Sequence, residues 1–504
     1  MYLTALLSSA ALLLALFALC QGEPAPPPLP SSGQNIRVLL SAKPGQYLFE
    51  SLEVTPLYAR AQVRGGPDPQ RLKLAFSSLG DGPLRFTAQE GRIQVGVLGK
   101  AYDLGPFAEV AADPEAPDAP RFLIGGKQRG DFYPEYPGRL LLGAREGRLS
   151  VVNVLDLQEY LRRVLPSEMP PNFPLEALKA QAVAARTYAY SRMTAPPERN
   201  YWKSLGADVD DSTNEQVYNG QPPQPSTDQA VAETLGQVLT YRGALVQAFY
   251  FSTSPGSTAS IEEVWPDRER LAYLRARTQT NPVTVNISSE RQALEFFRNW
   301  APEGFYDGES SLFRWRVSLS RGELEAVLAR TLPALRRASP EFVRTVEGRY
   351  TPDRPEFELG TLQGLKVLKR TRGGFITELE VRTSTGRYWV GRESNVRNLI
   401  RPDKRYTGGP DVVLERFNRA LTPNFPALPS AAFAWEEERE GNALQRLTFW
   451  GGGLFRFGLW PRGRHEPVRR PRPRQGRQDP PADPRTLLPR HVADGAEPGK
   501  VSGK

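Results

Sequence analysis

Between Gln21 and Trp460 the chain contains neither histidine nor cysteine. Without cysteine no disulfide can stabilise this body, so a hydrophobic core must do so, and a hydrophobic content of 39% is sufficient for one. The same absence excludes a Ser-His-Asp triad, a Cys-His nucleophile, a Cys/His zinc site and a CxxC redox pair. An enzyme built from this body would therefore use a carboxylic acid, or a metal held by oxygen atoms alone.

The charge of the chain is concentrated at its end. Of the formal net charge of +9, residues 461–504 contribute +6, from 11 Lys and Arg against 5 Asp and Glu, and residues 1–20 carry none. The body is nearly neutral, which argues against a nucleic-acid-binding surface. The tail at 461–504 is basic, rich in Pro and Arg, and lacks apolar periodicity, so we predict that it is disordered. It can bind anionic polymers or lipid headgroups electrostatically, or it can be inert.

The first residues have the composition of an export signal. Residues 3–19 are apolar and uncharged, and a Pro-rich linker follows at 21–35. We therefore predict a signal peptide at 1–20 and an exported protein of the cell envelope, periplasmic or extracellular. The segment before Cys20 loosely resembles a lipoprotein cleavage box, so acylation of Cys20 and an uncleaved anchor are alternatives that would attach the chain to a membrane.

The remaining pattern predicts an α+β fold in three parts. Alternating apolar residues and turn signals indicate a β-rich N-terminal region at 36–150 and a β-rich C-terminal region with helices at 281–460, on either side of a helix-bearing core at 151–280. One sequence pattern is repeated, since AQEGRIQVGV at 88–97 resembles AREGRLSVVN at 144–153. A duplicated β-module and the chemistry of two similar turns explain this repeat equally well.

Two helices are predicted most clearly. Pro174 begins an Ala-rich stretch that continues to Arg192, because proline is tolerated in a first helical turn and alanine has the highest helix propensity. Small residues share one face of this helix, which suits close packing: Leu178, Ala182, Ala185 and Ala189. Ser320 and Glu323 form a capping box before a second helix, whose predicted buried stripe is Leu324, Val327 and Leu328.

Glu168 has a setting that suits a general acid. Pro166, Pro170 and Pro171 bound its segment, and prolines interrupt a helix and stiffen a loop. We therefore predict that Glu168 lies on a rigid loop between two helical stretches. A carboxylate held in this way can transfer protons, whereas a solvated surface Glu is the ordinary alternative for such a segment.

The sequence around Glu168 resembles the SpoIID/LytB family. The stretch EYLRRVLPSEMPPNFPLEALKAQAVAARTYA at 159–189 follows the family pattern EYL-x-GV-x-P-x-EMP-x-x-W/F-P-x-EALKAQA-x-AARTYA. The resemblance is strong over residues 150–280 and looser over 314–400. Within the strong part it includes DVDDS at 208–212, QVYNG at 216–220 and AFYFSTSPGSTAS at 248–260.

This resemblance implies an exported protein that acts on peptidoglycan glycan strands without a cofactor. Better-studied members look like lytic transglycosylases of strands that lack stem peptides, and Glu168 stands at the position of their catalytic Glu. The acid would protonate the oxygen between N-acetylmuramic acid and N-acetylglucosamine. The carboxylate would then accept the proton of the muramic 6-hydroxyl, which attacks C1 and leaves a 1,6-anhydro end. One carboxylate suffices, unlike in two-carboxylate glycosidases, and this agrees with a body that lacks His and Cys.

The other matched residues are implied to contact the substrate. They are Gln181, Arg186, Tyr188, Gln216, Tyr218, Tyr250, Ser252 and Ser254. Core packing is the alternative for Tyr188, and a buried ion pair with Asp208 or Asp210 is the alternative for Arg186. A serine nucleophile is disfavoured because the body has no histidine to activate it.

No metal site is expected. The run that begins at Asp208 has Thr213 and Asn219 where a calcium-binding EF-hand loop requires Gly and Glu. Family members often read FYHS-T/S-SGG, and the resemblance implies that some bind zinc through that His, but here Phe251 replaces the His and Pro255 the first Gly. The family's C-terminal GWGHGVGMSQ-like segment is reduced to a remnant at 448–455, so substrate contacts made by that segment are in question.

Two functions follow from the sequence. The first is the lytic transglycosylase-like enzyme with Glu168 as acid and base. The alternative is a non-catalytic peptidoglycan-binding protein, or an enhancer of a separate cell-wall amidase. Geometry separates them, because a catalytic Glu168 should line an open groove with the matched polar residues of its surroundings, namely Gln181, Arg186, Gln216 and Tyr218.

Overall fold

The computed structural model describes residues 30–454, apart from gaps at 31–32, 58–59, 79–81, 98, 115–120, 129–131, 283, 349–350, 353 and 355–356. The predicted signal peptide at 1–20, most of the linker and the basic tail at 461–504 lie outside the described residues. The chain forms two compact units whose boundary falls between Phe249 and Tyr250. This boundary lies within the range 151–280 that the sequence indicated as the core.

The first unit consists of strands followed by helices. Its strands are β1 (Asn35–Leu39), β2 (Ser51–Leu57), β3 (Ala61–Gly66), β4 (Lys73–Ser77), β5 (Leu84–Gln89), β6 (Arg92–Val97), β7 (Lys100–Asp103), β8 (Phe107–Ala112), β9 (Arg121–Ile124), β10 (Glu135–Pro137), β11 (Arg139–Arg145), β12 (Arg148–Asp156), β13 (Val209–Asp210), β14 (Thr240–Tyr241) and β15 (Ala244–Leu245). Its helices are α1 (Leu157–Glu168), α2 (Leu175–Thr194) and α3 (Pro225–Glu233), with short 3-10 turns at Pro197–Arg199 and Tyr201–Leu205.

Two large sheets organise these strands. One has seven strands in the order β13-β1-β12-β11-β8-β3-β4, and the other has six in the order β10-β9-β2-β5-β6-β7. β1 lies between β12, with which it pairs antiparallel, and β13, with which it pairs in parallel so that Leu39 is opposite Asp210. The seven-stranded sheet therefore contains strands from both the predicted N-terminal region and the predicted core.

The repeated sequence pattern corresponds to two hairpins of the same kind. β5 and β6 turn through Glu90 and Gly91, with φ of 49° and 72°, and β11 and β12 turn through Glu146 and Gly147, with φ of 51° and 71°. Positive φ at both central residues is the type I′ turn, which matches the twist of antiparallel strands. The two hairpins lie in different sheets, and their shared turn accounts for the match around Glu-Gly-Arg.

Helix α1 is longer than its prolines predict. Asp156 caps it by accepting hydrogen bonds from the backbone N–H groups of Gln158 and Glu159, at 2.7 and 3.3 Å. Pro166 lies inside the helix, and the chain continues helically through it to Glu168. The prediction that Glu168 lies on a loop was therefore wrong, since it is the last residue of α1. Three side chains of the same helix are fully buried and stabilise the turns before and around the proline: Leu161, Val164 and Leu165.

Helix α2 confirms the strongest local prediction. It begins at Leu175, one residue after the predicted start, because Pro174 occupies the N-cap position, and it ends at Thr194, two residues after the predicted end. The small-residue face is fully buried along its whole length, at Leu178, Ala182, Ala185 and Ala189. Small side chains allow close approach of the neighbouring helices α1 and α3, both of which pack against α2.

The second unit is also α+β. Its strands are β16 (Trp315–Ser320), β17 (Val343–Gly348), β18 (Leu362–Arg370), β19 (Ile376–Thr383), β20 (Gly386–Gly391), β21 (Val413–Arg416), β22 (Leu421–Pro423), β23 (Phe433–Glu440) and β24 (Ala443–Gly451). Its helices are α4 (Ile261–Val264), α5 (Glu290–Arg298), α6 (Arg321–Ala338), α7 (Glu393–Leu399) and α8 (Lys404–Thr407). They accompany a five-stranded sheet, β22-β21-β16-β24-β23, and a four-stranded sheet, β17-β20-β19-β18.

Local signals in the second unit are confirmed as well. Ser320 caps α6 and forms the predicted capping box with Glu323. The predicted stripe of Leu324, Val327 and Leu328 is fully buried. Throughout the part of the chain that the structure describes, no helix combines the length and apolar character needed to cross a membrane.

Candidate functional site

Glu168 is held at the carboxyl end of α1 by a backbone donor. Its side chain is 6% exposed, and its Oε1 accepts a hydrogen bond of 2.9 Å from the N–H of Val217. After Glu168 the backbone becomes extended at Met169, whose N–H closes the last turn on Leu165. The carboxylate therefore has a defined position between the end of a helix and a chain segment 49 residues away in sequence.

We call that segment, residues 215–219, the anchor strip. It follows β13 and the turn after it, and it is joined to them by the N–H of Tyr218, which donates to the carbonyl of Asp211 at 3.2 Å. Val217 stands at its centre, between two fully buried side chains, Gln216 and Tyr218. Burial alternates along the strip, with Gln216 and Tyr218 buried and Val217 and Asn219 half-buried, so the two flanking side chains face the same side.

Both flanking side chains are engaged at their polar ends. Gln216 accepts from the Tyr160 hydroxyl at 3.2 Å and donates to the carbonyl of Ala185 at 3.2 Å. Tyr218 donates its hydroxyl to Asn153 Oδ1 at 2.7 Å, and its ring stacks on that of Tyr160 at 5.2 Å between centroids. Burial raises the pKa of Tyr218 and of Tyr160, so both hydroxyls remain protonated donors.

The two ends of the anchor strip are also fixed. Glu215 accepts hydrogen bonds from Tyr188 Oη at 2.5 Å, Trp202 Nε1 at 2.6 Å and Arg192 Nη2 at 2.7 Å. Asn219 accepts from the hydroxyl of Ser167, the neighbour of Glu168, at 2.7 Å. Burial raises the pKa of Tyr188, and the Glu215 carboxylate adds to this effect. The Tyr188 hydroxyl is thus bound to the strip.

Arg186 is fully buried and bonded to protein acceptors. Its guanidinium donates to Gln158 Oε1 of α1 at 3.2 Å, to the carbonyl of Val231 in α3 at 3.0 Å, and to Thr234 and Gln237 just after α3. Burial lowers its pKa to about 10. It therefore ties α1, α2 and α3 together.

Gln181, on α2, differs from these residues. Its side chain is 5% exposed, and its Nε2 has no hydrogen-bond partner among the described residues. A buried amide donor without an acceptor costs free energy, and such donors often bind a ligand or water. Of the predicted substrate contacts in the first unit, Gln181 is the one that the described structure leaves with an unused donor.

The acidic run before the anchor strip forms ion pairs and hydrogen bonds within the first unit. Asp208 pairs with Arg37 at 2.8 Å and with Lys203 at 2.5 Å. The guanidinium of Arg186 bonds to neutral acceptors among the described residues, so the alternative of an ion pair with Asp208 or Asp210 was wrong. Asp211 Oδ2 pairs with the buried Lys127 at 2.9 Å. These contacts fix the start of the segment that leads to Val217.

Unlike Asp208 and Asp211, Asp210 has no cationic partner among the described residues. Its Oδ2 accepts from the Tyr47 hydroxyl at 2.6 Å, from Ser212 at 2.6 Å and from Asn214 at 3.2 Å, whereas Oδ1 has no partner among the described residues. Burial raises its pKa to about 6, with smaller contributions from the charges of Asp211 and Glu215.

The three remaining predicted residues, Tyr250, Ser252 and Ser254, belong to the second unit. Tyr250 is half-buried and the two serines are buried. The N–H of Ser254 donates to Asp307 Oδ2 at 2.7 Å, and its hydroxyl accepts from the N–H of Gly256 at 3.0 Å. Both polar groups of Ser254 thus hold the conformation of its own loop.

This loop packs against the glycine-rich remnant that the sequence indicated at 448–455, of which residue 455 lies outside the described residues. Thr253 and Leu454 pair as an antiparallel bridge, with the Leu454 N–H donating to the Thr253 carbonyl at 2.9 Å. Gly453 has φ of 80°, and a Cβ placed there would lie 2.7 Å from that carbonyl and 2.8 Å from Pro255 Cδ. The remnant therefore supports the Ser252–Ser254 loop, and its glycine is required by close approach.

Sequence reasoning missed the groups that hold Glu168. The Val217 N–H is a backbone donor and leaves no mark in the side-chain pattern. Asn153 and Tyr160 lie in β12 and α1, in what reads as ordinary apolar patterning. The spacing of Gln216 and Tyr218, two residues apart, was the available signal, since it is the period of an extended segment with one buried side.

Comparison with known families assigns two parts of the chain. Residues 145–241 match the SpoIID family of stage II sporulation proteins, and residues 259–406 match a domain of unknown function (DUF8618). The SpoIID match contains Glu168 and the whole anchor strip. It ends before the boundary between the two units, and the second match lies wholly in the second unit.

Curated relatives match the same part of the chain. An uncharacterized protein of Brachyspira hyodysenteriae is 39% identical over 132 residues, which is 26% of this chain and 34% of that protein. The Amidase enhancer of Bacillus subtilis is 40% identical over 137 residues, 27% of this chain and 17% of that protein. Stage II sporulation protein D of Bacillus subtilis is 39% identical over 145 residues, 26% of this chain and 40% of that protein. The matched region spans less than half the length of each of these relatives.

Proposed function

We propose that this chain, whose residues 145–241 form a SpoIID domain, acts on the glycan strands of peptidoglycan with Glu168 as general acid and base. The protonated carboxyl gives its proton to the glycosidic oxygen after N-acetylmuramic acid. The carboxylate then accepts the proton of the muramic 6-hydroxyl as that oxygen bonds to C1, and a 1,6-anhydro end results. No other titratable residue is required for this reaction, which suits a body without His or Cys.

The position of Glu168 is the observation that carries the proposal. A carboxyl group that is nearly buried, lies at the end of a helix and is oriented by a backbone N–H is arranged for proton transfer more than for solvation. Relatives named Stage II sporulation protein D and Amidase enhancer support a role connected with the cell wall. Export of the chain, through the segment at 1–20, is part of the proposal because the substrate lies outside the cytoplasm.

Gln181 is the proposed substrate contact of the first unit. Its amide Nε2 has no acceptor among the described residues but is enclosed, so a sugar hydroxyl or acetamide carbonyl would bind it after the side chain turns outward. The Gln181→Leu variant should therefore weaken binding of glycan fragments. Tyr250, Ser252 and Ser254 remain predicted substrate contacts of the second unit.

The experiment is a digest of denuded glycan strands by the full chain, with mass spectrometry of the products. Wild type should release fragments with 1,6-anhydromuramic ends, and Glu168→Gln should reduce the rate at least a hundredfold, in the range expected for loss of a general acid. Glu198→Gln is the matched control, because Glu198 is exposed in the 3-10 turn after α2. Absence of anhydro products from wild type would refute the enzymatic proposal.

The second candidate is a non-catalytic enhancer of a cell-wall amidase. It is favoured by the name of one relative and by the burial of all four residues that were expected to line an open groove with Glu168, namely Gln181, Arg186, Gln216 and Tyr218. In this case glycan pulldown by Glu168→Gln would equal that of wild type, and both would stimulate a purified amidase on intact sacculi. Stimulation by wild type together with no anhydro product would establish this function in place of the first.

A further inference from the structure

We infer that Gln216 and Tyr218 are positioning residues, which orient the Glu168 carboxyl group for proton transfer through the N–H of Val217. This inference rests on the proposed function and deepens it. It differs from the expectation that both side chains contact the sugar, because both are fully buried.

Glu168 is oriented by a donor that lies between these two residues. Its Oε1 accepts the Val217 N–H at 2.9 Å, and this bond fixes the direction in which the carboxyl group faces. In the proposed reaction the carboxyl O–H bond breaks as the glycosidic oxygen gains the proton. The carboxylate later regains a proton from the 6-hydroxyl, so Glu168 ends as it began.

Packing on both sides of Val217 sets the direction of its N–H. The direction of the Val217 N–H is the direction of the peptide plane between residues 216 and 217. That plane is held on one side by Gln216, bonded at both ends of its amide, and on the other by Tyr218, bonded to Asn153 and stacked on Tyr160. Both side chains are fully buried and fix the backbone between them, which carries the N–H that Glu168 accepts.

The hydrogen bonds between α1 and the anchor strip form a closed ring. Tyr160 and Glu168 are eight residues apart in the same helix, α1. Tyr160 bonds to Gln216, the next residue donates its N–H to Glu168, and Ser167 bonds to Asn219 at the far end of the strip. A ring of bonds that begins and ends on one helix limits the rotation of the carboxyl group.

The test follows the Val217 amide by NMR in the full chain labelled with 15N-valine, with the resonance assigned by its loss in Val217→Ala. Between pH 3 and 8 the resonance should move in wild type as Glu168 gains or loses its charge, and should not move in Glu168→Gln. Tyr218→Phe, which removes one hydroxyl, and Gln216→Leu should each reduce this movement by at least about half. Tyr102→Phe, a half-buried tyrosine of β7, is the matched control and should leave the movement unchanged.

The same variants are then assayed on glycan strands. As positioning residues they should lower kcat about tenfold while KM and the Kd for a glycan fragment stay within about twofold, as expected for an interaction that acts in the transition state. An unchanged Val217 resonance movement in both variants, with a raised Kd for glycan, would overturn the inference and make both residues substrate contacts. If wild type forms no anhydro product, the proposed function fails, and the NMR comparison alone decides whether Gln216 and Tyr218 position Glu168.

Discussion

The ammonium of Lys127 lies 2.9 Å from Asp211 Oδ2, and both side chains are buried. Lys127 follows β9 in the six-stranded sheet, and Asp211 follows β13 in the seven-stranded sheet. Asp211 also receives the N–H of Ser41 and, through its carbonyl, the N–H of Tyr218. The pair therefore connects a part of the chain that precedes the SpoIID match to the segment that holds Glu168.

Removing one partner of this pair should destabilise the first unit strongly. Lys127→Met leaves the Asp211 carboxylate buried without its ammonium, and the expected loss is about 3–5 kcal/mol of unfolding free energy. Urea unfolding followed by tryptophan fluorescence measures it. Arg92→Met is the control, because the Arg92–Asp103 pair is half-exposed and should contribute far less. Equal effects of the two substitutions would show that the buried pair is not a structural link.

Arg186 should behave as a structural residue. Arg186→Met leaves acceptors on Gln158, Val231 and Gln237 unpaired in the interior, and the expected cost is at least about 2 kcal/mol. The exposed Arg199, replaced in Arg199→Met, should change stability little. A well-folded Arg186→Met protein with wild-type stability and weakened glycan binding would instead identify Arg186 as a substrate contact.

Asp210 should make stability depend on pH. Its pKa is about 6 in the folded protein and 3.8 ordinarily, so between about pH 4 and pH 6 the folded protein binds more protons than the unfolded chain. This group therefore lowers the free energy of unfolding as pH rises through that window, by up to about 3 kcal/mol for a shift of about two units. Asp210→Asn imitates the protonated acid. It should equal wild type near pH 4 and exceed it in stability at pH 7, as measured by urea unfolding at each pH. A difference that is constant across pH would contradict the assignment.

Gly453 should be intolerant of a side chain. In Gly453→Ala the new Cβ meets the Thr253 carbonyl and Pro255, and the backbone has a positive φ that alanine rarely adopts. We expect a loss of about 2 kcal/mol or more from this strain and overlap. Gly409→Ala, at an open position without positive φ, is the control and should change stability by less than about 0.5 kcal/mol. Thermal unfolding of the two variants compares them directly, and similar melting temperatures would argue against close packing of the remnant on the Ser252–Ser254 loop.

Much of the secondary structure could be predicted because its signals are local. An Ala-rich run after Pro174 forms α2, the Ser320–Glu323 box begins α6, and two Glu-Gly turns with positive φ form matching hairpins. Each depends on residues within a few positions of one another, so propensity and turn chemistry suffice. The candidate acid, Glu168, was likewise recognisable from the amino-acid sequence of its own segment.

The surroundings of Glu168 depended on residues far apart in sequence. Pro166 predicted a loop, but the burial of Leu161, Val164 and Leu165 offsets the cost of a proline in a helix, about 3 kcal/mol, and α1 continues to Glu168. Gln216 and Tyr218 read as groups for sugars, yet both are enclosed. Sequence by itself determined which residues were available and which local elements they form. Only tertiary structure decided which polar groups face the interior, because burial and a backbone donor such as the Val217 N–H arise when distant segments pack together.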